Sequence, residues 1–139
     1  MRVSEVMSRG VQVARLDQTI QEAARMMREM DVGSLPVAQE DRLVGIITDR
    51  DIAVRAVAEN EAPSTKVRDV MTQDTKSCFD DEDADEVARR MGEQQVRRLL
   101  VVNRDWELIG ILALADLANQ GSEPATQALQ GISRSSKEA

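Results

Sequence analysis

The chain has 139 residues, 42% of them hydrophobic, with a net charge of -7 and a pI of about 4.7. That balance argues against non-specific binding to nucleic acid or an anionic membrane, because no basic field draws either one in. A single cysteine, Cys78, excludes an intramolecular disulfide and fits a reducing compartment. Histidine is absent, which removes the commonest general base and the commonest metal ligand together.

The length suits one compact domain or two small halves sharing a core. That core is aliphatic, since Phe79 and Trp106 are the only aromatics and seven methionines serve as flexible filler. The opening MRVSEVMSRG lacks the apolar run of a signal peptide, and no stretch approaches the length of a membrane span. The expectation is a soluble cytoplasmic protein.

In chain order, SEVM is followed by a short β segment over 11–14. Then comes a helix whose Ile20, Ala23, Ala24, Met27 and Met30 share one face, with Thr19 and Glu22 at capping-box spacing. Leu35 to Ala38 and Leu43 to Ile47 are apolar runs around the polar turn Gln39 to Arg42, which reads as a β-hairpin. The second strand runs directly into Thr48-Asp49-Arg50-Asp51 and a helical stretch from Ile52 to Glu59. A hydroxyl and a carboxylate three residues apart therefore stand where a buried strand meets a helix start.

The pattern then repeats. At an offset of 64, Val3, Val6 and Met7 match Val67, Val70 and Met71, and Val32, Leu35 and Val37 match Val96, Leu99 and Val101. A short β segment spans 75–79, and Asp83 with Glu86 opens a helix carrying Val87, Ala88 and Met91. A turn one residue longer, at Trp106 or Glu107, moves the offset to 65, so Gly45, Asp51 and Ala53 correspond to Gly110, Asp116 and Ala118. The order is β-α-β-β-α twice, an α+β fold with halves at 1–62 and 63–121, bounded at Pro63-Ser64. The tail 122–139 is weakly patterned and expected to be mobile, apart from a possible helical turn at Ala125 to Leu129. A half of about 60 residues buries too little surface to stand comfortably alone. The two halves are therefore expected to pack sheet to sheet in pseudo-two-fold symmetry, leaving a cleft suited to a ligand.

SEVM and VRDVM, VGSLPVAQEDRLVGIITDRDI, and VRRLLVVNRDWELIGILALADL together resemble the CBS domain, and the pair resembles a CBS-pair (Bateman) module. The resemblance covers about residues 1–120 and is similar to the small stand-alone bacterial CBS-pair proteins. It implies a regulatory sensor that binds an adenosine-containing ligand (AMP, ADP, ATP or S-adenosylmethionine) and requires no other cofactor. Asp51 and Asp116 stand where a carboxylate accepts ribose hydroxyls. Thr48 adds a hydroxyl, but its counterpart is Ala113, a departure from the motif. Val13 and Ala14, with Ser77, Cys78 and Phe79, are candidates for the adenine slot, with Ile46 and Ile111 nearby. Where the family often carries a basic residue for phosphate, Arg97 and Arg98 stand in the second half and Gly33 and Ser34 in the first.

The plainer readings are a helix-start preference for the aspartates and a solvated surface for the arginine pair. Gly45 and Gly110 read as backbone or packing requirements, and Cys78 as a small buried residue with no histidine to activate it. A ligand-free structural or oligomerisation module is the alternative to the sensor, and the departures at Ala113 and Gly33-Ser34 favour it. An enzyme is the weakest reading, because no nucleophile–base pair or metal cluster is visible. The helices after the hairpins, Ile52 to Val57 and Leu114 to Ala118, carry apolar residues on more than one face, which predicts a homodimer with four repeats in a flat disc.

Overall fold

The computed structural model describes the backbone of residues 1–138 and the side chains of residues 1–132. Two three-stranded sheets form, each with one parallel and one antiparallel pairing. In the first, β1 (Ala14–Arg15) lies parallel to β2 (Ser34–Gln39), which pairs antiparallel with β3 (Arg42–Thr48). In the second, β4 (Ser77–Phe79) lies parallel to β5 (Arg98–Val102), which pairs antiparallel with β6 (Leu108–Ala113). The first β segment is shorter than expected, because only Ala14 and Arg15 reach the ladder of β2.

Between the parallel strands run α1 (Ile20–Met30) and α3 (Ala84–Gln94). Each starts on a side-chain acceptor. Thr19 Oγ1 accepts the Glu22 N–H at 3.1 Å and the Asp83 carboxylate accepts the Glu86 N–H at 3.2 Å. Each ends on a left-handed residue, Asp31 and Gln95, at φ 56° and 59°. The first hairpin turns on Glu40 and Asp41, both at positive φ, as a tight two-residue turn demands.

Both hairpins carry a bulge at the same place. Val37 pairs with Gly45 and Ala38 with Leu43, leaving Val44 extra; Val101 pairs with Gly110 and Val102 with Leu108, leaving Ile109 extra. The glycine beside each bulge admits another backbone. A Cβ on Gly45 would sit 2.8 Å from the Thr72 carbonyl oxygen, and one on Gly110 would sit 2.8 Å from that of Ser8. Thr72 exchanges two backbone bonds with Ile46, both at 2.8 Å, and Ser8 does so with Ile111 at 2.8 and 2.9 Å. The packing requirement read from the sequence is thus specific: each glycine makes room for an extra two-residue bridge.

Those bridges reassign the opening segments. Gln12–Thr75 forms one compact unit; Met1–Val11 and the chain from Lys76 onward form the other. Val67 and Val70 join Val37 and Ile47 in the first unit's core, and Val3 joins Val87 and Leu112 in the second's. Each opening segment therefore packs on the other repeat, so the packing units differ from the 1–62 and 63–121 division of the sequence.

After β3 the chain makes one α-turn, α2 (Asp49–Asp51), and then widens into a π-helical segment over Ile52–Val57. The Ala58 N–H reaches the Ala53 carbonyl and the Glu61 N–H reaches that of Ala56, both at 2.9 Å and both five residues back. After β6 the chain forms α4 (Leu114–Asn119) and α5 (Glu123–Glu138). The tail expected to be mobile is therefore helical. Ala125, Ala128 and Ile132 are buried in one cluster with Val87, Ala88, Met91, Leu114 and Leu117. Of the apolar residues on the helix from Leu114 to Ala118, Leu114 and Leu117 are fully buried within the chain.

The two aromatics sit together near the second turn. Phe79 and Trp106 meet edge to face at 5.4 Å, and the Arg104 guanidinium lies 3.9 Å from the Phe79 ring centre. Arg104 also donates two bonds to Asp81 and holds that carboxyl below its ordinary pKa.

Candidate functional site

The junction of β3 and α2 carries a connected polar site built around Asp51. Thr48 is extended at φ -116° and ψ 161°, which makes it a natural N-cap. Its Oγ1 accepts the Asp51 N–H at 2.9 Å, and the Asp51 carboxylate accepts the Thr48 N–H at 3.1 Å. This reciprocal box satisfies two helix-start donors and fixes the Asp51 rotamer. Two further groups reach the same carboxylate. Thr72 Oγ1 is 3.3 Å from each carboxylate oxygen, and Arg55 Nε is 3.8 Å from Oδ1. Arg55 Nη1 also donates to the Met71 carbonyl at 3.0 Å, tying the bridge segment to the helix. The Asp51 side chain is 12% exposed and that of Arg55 53%. Asp51 is thus an oriented acceptor with a narrow opening, flanked by a cation.

Thr72 and Arg55 were not among the residues singled out from the sequence. The signals were present in weak form. Thr72 follows Val-Met at the repeat position where Ser8 follows Val6-Met7, so a hydroxyl recurs there. Arg55 stands four residues after Asp51, the spacing at which helical side chains meet.

Gly33 and Ser34 lie at this same end of the first sheet. Ser34 pairs with Thr48, and the Gly33 carbonyl accepts the Asp49 N–H at 2.9 Å. Ile46 is half-buried beside Thr72. Val13 is half-buried just ahead of β1, whereas Ala14 is fully buried. The Ala14 side chain belongs to the core.

In the second unit the register is the same and the chemistry differs. Arg98 pairs with Ala113, and the Arg97 carbonyl accepts the Leu114 N–H at 3.0 Å, so both arginines flank the start of α4 and both are exposed. The Ala113 methyl cannot accept a hydrogen bond, so the helix has no side-chain cap. Asp116 is half-buried, and among the described residues no side-chain hydrogen bond reaches it. Ile111 is half-buried beside Ser8, and Ser77 is half-buried opposite Leu100. Cys78 is 3% exposed, and burial, helped by the negative charge of Glu82, pushes its thiol up to about 12. Like Ala14, Cys78 has its side chain in the core, as the plain reading of a small buried residue expects.

A recess of about 320 Å³ lies at the opposite end of the first sheet, beside the hairpin turn, between Arg15, Gln39, Glu40 and Arg68. None of the candidate ligand residues lines it. Among the described residues no group of three or more acidic or cysteine side chains could hold a metal ion, and no helix is long and apolar enough to cross a membrane.

The chain is similar to known proteins in sequence and in fold. The chain is 40% identical over 133 residues to the CBS domain-containing protein YhcV of Bacillus subtilis (strain 168), covering 94% of both chains. The crystal structure of CBSX2 in complex with AMP matches with a TM-score of 0.71 at 25% identity, over 86% of this chain and 95% of that one. The CBS domain pair of protein MJ0100, in complex with 5-methylthioadenosine and S-adenosyl-L-methionine, matches with a TM-score of 0.66 at 29% identity, over 86% and 94%. The model of the CBS domain matches twice, at residues 3–57 and 67–123, so the repeat read from the sequence is a tandem pair and this chain belongs to the CBS domain family.

Proposed function

We propose that this chain is a non-enzymatic regulatory module that binds an adenosine-containing ligand, AMP, ADP, ATP or S-adenosylmethionine, and passes a conformational change to a partner. Asp51 is the ribose acceptor and Thr48 its capping partner; Gly33 and Ser34 line the neighbouring strand end. The observation that carries the reading is the Asp51 carboxylate, held in one rotamer by Thr48 and Thr72 and still partly open. A carboxylate has about four acceptor positions and can take a vicinal diol through charge-assisted bonds. Arg55 supplies the cation that the Gly33-Ser34 strand end lacks. The complexes of CBSX2 with AMP and of the MJ0100 pair with S-adenosyl-L-methionine support the ligand class.

A ligand-free structural module is the second reading. One observation favours it: the contacts from Thr48, Thr72 and Arg55 already occupy much of Asp51. A thermal-shift screen with the four ligands separates the two. Ligand present at about 100 times its Kd stabilises the fold by roughly 2.7 kcal/mol. A shift with at least one of the four is expected, and no shift with any of them establishes the structural module.

A further inference from the structure

The hairpin-turn ends of the two units hold equivalent positions and use them in opposite ways. In the second unit Phe79, Asp81 and Arg104 contact one another. The guanidinium lies over the Phe79 ring and donates twice to Asp81, and the ring meets Trp106, the residue added in the longer turn. In the first unit the same positions carry Arg15, Asp17 and Glu40, and Arg68 stands where the second has Ser4. No aromatic ring fills this end, and the recess of about 320 Å³ remains.

Backbone contacts hold the recess in shape. Glu40 sits on a two-residue turn at positive φ. Arg68 lies on the 3₁₀ turn Val67–Asp69, which is tied to the chain after β1. The Val67 N–H donates to the Gln18 carbonyl at 2.8 Å, and the Arg68 N–H to that of Leu16 at 3.3 Å. Such a site needs little reordering to receive a ligand. Its apolar part is Leu16, half-buried against the core, and Ala38, which is 8% exposed. Its charges balance: Arg15 and Arg68 against Asp17 and Glu40. Arg15 and Asp17 are already paired at 3.3 Å. Arg68 and Glu40 are exposed, and among the described residues no ion pair or side-chain hydrogen bond engages either. A simple anion meets Arg68 but is repelled by Glu40, and a simple cation meets the reverse. A molecule carrying both charges satisfies both groups.

We propose that this recess binds a free aliphatic α-amino acid as its zwitterion, at the end of the first sheet away from Asp51. The ligand carboxylate lies on the Arg68 guanidinium, its ammonium on the Glu40 carboxylate, and its side chain on Leu16 and Ala38. The volume, at about 30 Å³ for each water-sized group, gives room for roughly ten such groups, the scale of leucine.

Titration of the 15N-labelled full chain with L-leucine, followed by NMR with no nucleotide present, tests this independently of the nucleotide reading. Saturable shifts are expected at the amides of Leu16, Ala38 and Arg68, and leucine at about 10 mM is enough to detect a Kd of about 1 mM. N-acetyl-L-leucine, which keeps only the carboxylate, and L-leucinamide, which keeps only the ammonium, are each expected to bind at least about tenfold more weakly. Arg68→Ala and Glu40→Ala, both at exposed positions, are expected to lose leucine affinity by a similar factor while keeping the native melting temperature. The absence of saturable shifts with leucine, equal binding of either one-charge analogue, or native affinity in either variant overturns the proposal.

Discussion

At the first hairpin-to-helix corner Thr48, Asp51, Thr72 and Arg55 form a closed set of contacts. At the second, Ala113, Asp116, Ser8 and Gln120 hold the same repeat positions, and the described residues bring no side-chain bond to Asp116. The backbone is not the cause: Ala113 is as extended as Thr48, at φ -111° and ψ 134°, and both junctions carry the same bulge and bridge. The difference is one hydroxyl at the cap and one guanidinium a helical turn later. Duplication thus preserved the scaffold of both corners, while the chemistry on them diverged: the first has the oriented carboxylate, the second the exposed cations Arg97 and Arg98.

The comparison breaks or holds most visibly on ligand affinity. Removing a charge-assisted contact to hydroxyls is worth roughly 1.5–3 kcal/mol, so Asp51→Ala is expected to weaken nucleotide binding about 10- to 150-fold by calorimetry. Asp51→Asn, which keeps an acceptor for the Thr48 N–H, separates lost charge from lost capping and is expected to weaken binding while preserving the melting temperature. Asp116→Ala is expected to leave affinity unchanged. The opposite ranking transfers the ligand to the second corner.

The shared scaffold predicts equal effects at the glycines. Gly45→Ala and Gly110→Ala each push a methyl to within 2.8 Å of a backbone carbonyl, which cannot swing aside as a side chain can. Overpacking of this kind costs about 1–3 kcal/mol, measurable as a lower urea midpoint. A large loss at one glycine and none at the other contradicts the equivalence of the two bridges.

Much of this was legible in the sequence because it is local or repeated. The hairpins, the Thr19 and Asp83 caps and the offset match all show in short windows. The exchange of opening segments was not legible: Ser8 meets Ile111 across a hundred residues, and a two-residue bridge leaves no periodic pattern. The π-helical widening at Ile52–Val57 has no propensity signature. Helix α5 was hidden because its contact relies on small residues. Ala125 and Ala128 give a weak hydrophobic pattern, and the seating of Ala128 relies on Gly92 thirty-six residues earlier. The burial of the Ala14 side chain was hidden for a related reason: a two-residue strand does not reveal which side chain faces the core.

A smaller effect tests whether the corners differ only by the cap. Ala113→Thr restores the missing hydroxyl on a backbone already extended for it. A new N-cap contributes about 0.5–2 kcal/mol, so the variant is expected to melt higher, and Thr48→Ala to melt lower by a comparable amount. If capping is also what orients the ribose acceptor, Ala113→Thr raises the calorimetric stoichiometry from one ligand toward two. A stabilised variant with unchanged stoichiometry shows that Arg55, and not the cap, distinguishes the first corner.

The last difference lies in the cores. Cys78 occupies the repeat position of Ala14, so one unit carries a buried ionisable group where the other has a methyl. Burial disfavours the thiolate and raises the folded-state pKa from 9.0 to about 12. Below pH 9 both folded and unfolded chains hold the proton, and the thiol makes no pH-dependent contribution. Between about 9 and about 12 the unfolded chain loses the proton and the folded one keeps it, so stability falls as pH rises through that window. The chain contains no tyrosine to titrate there as well. Urea unfolding followed from pH 8 to 11 is therefore expected to show a declining midpoint in the native chain and a shallower decline in Cys78→Ala. The comparison is of slopes, since the substitution also shrinks a buried side chain and lowers stability at every pH. Equal slopes in the two proteins place the thiol in water and remove this distinction between the repeats.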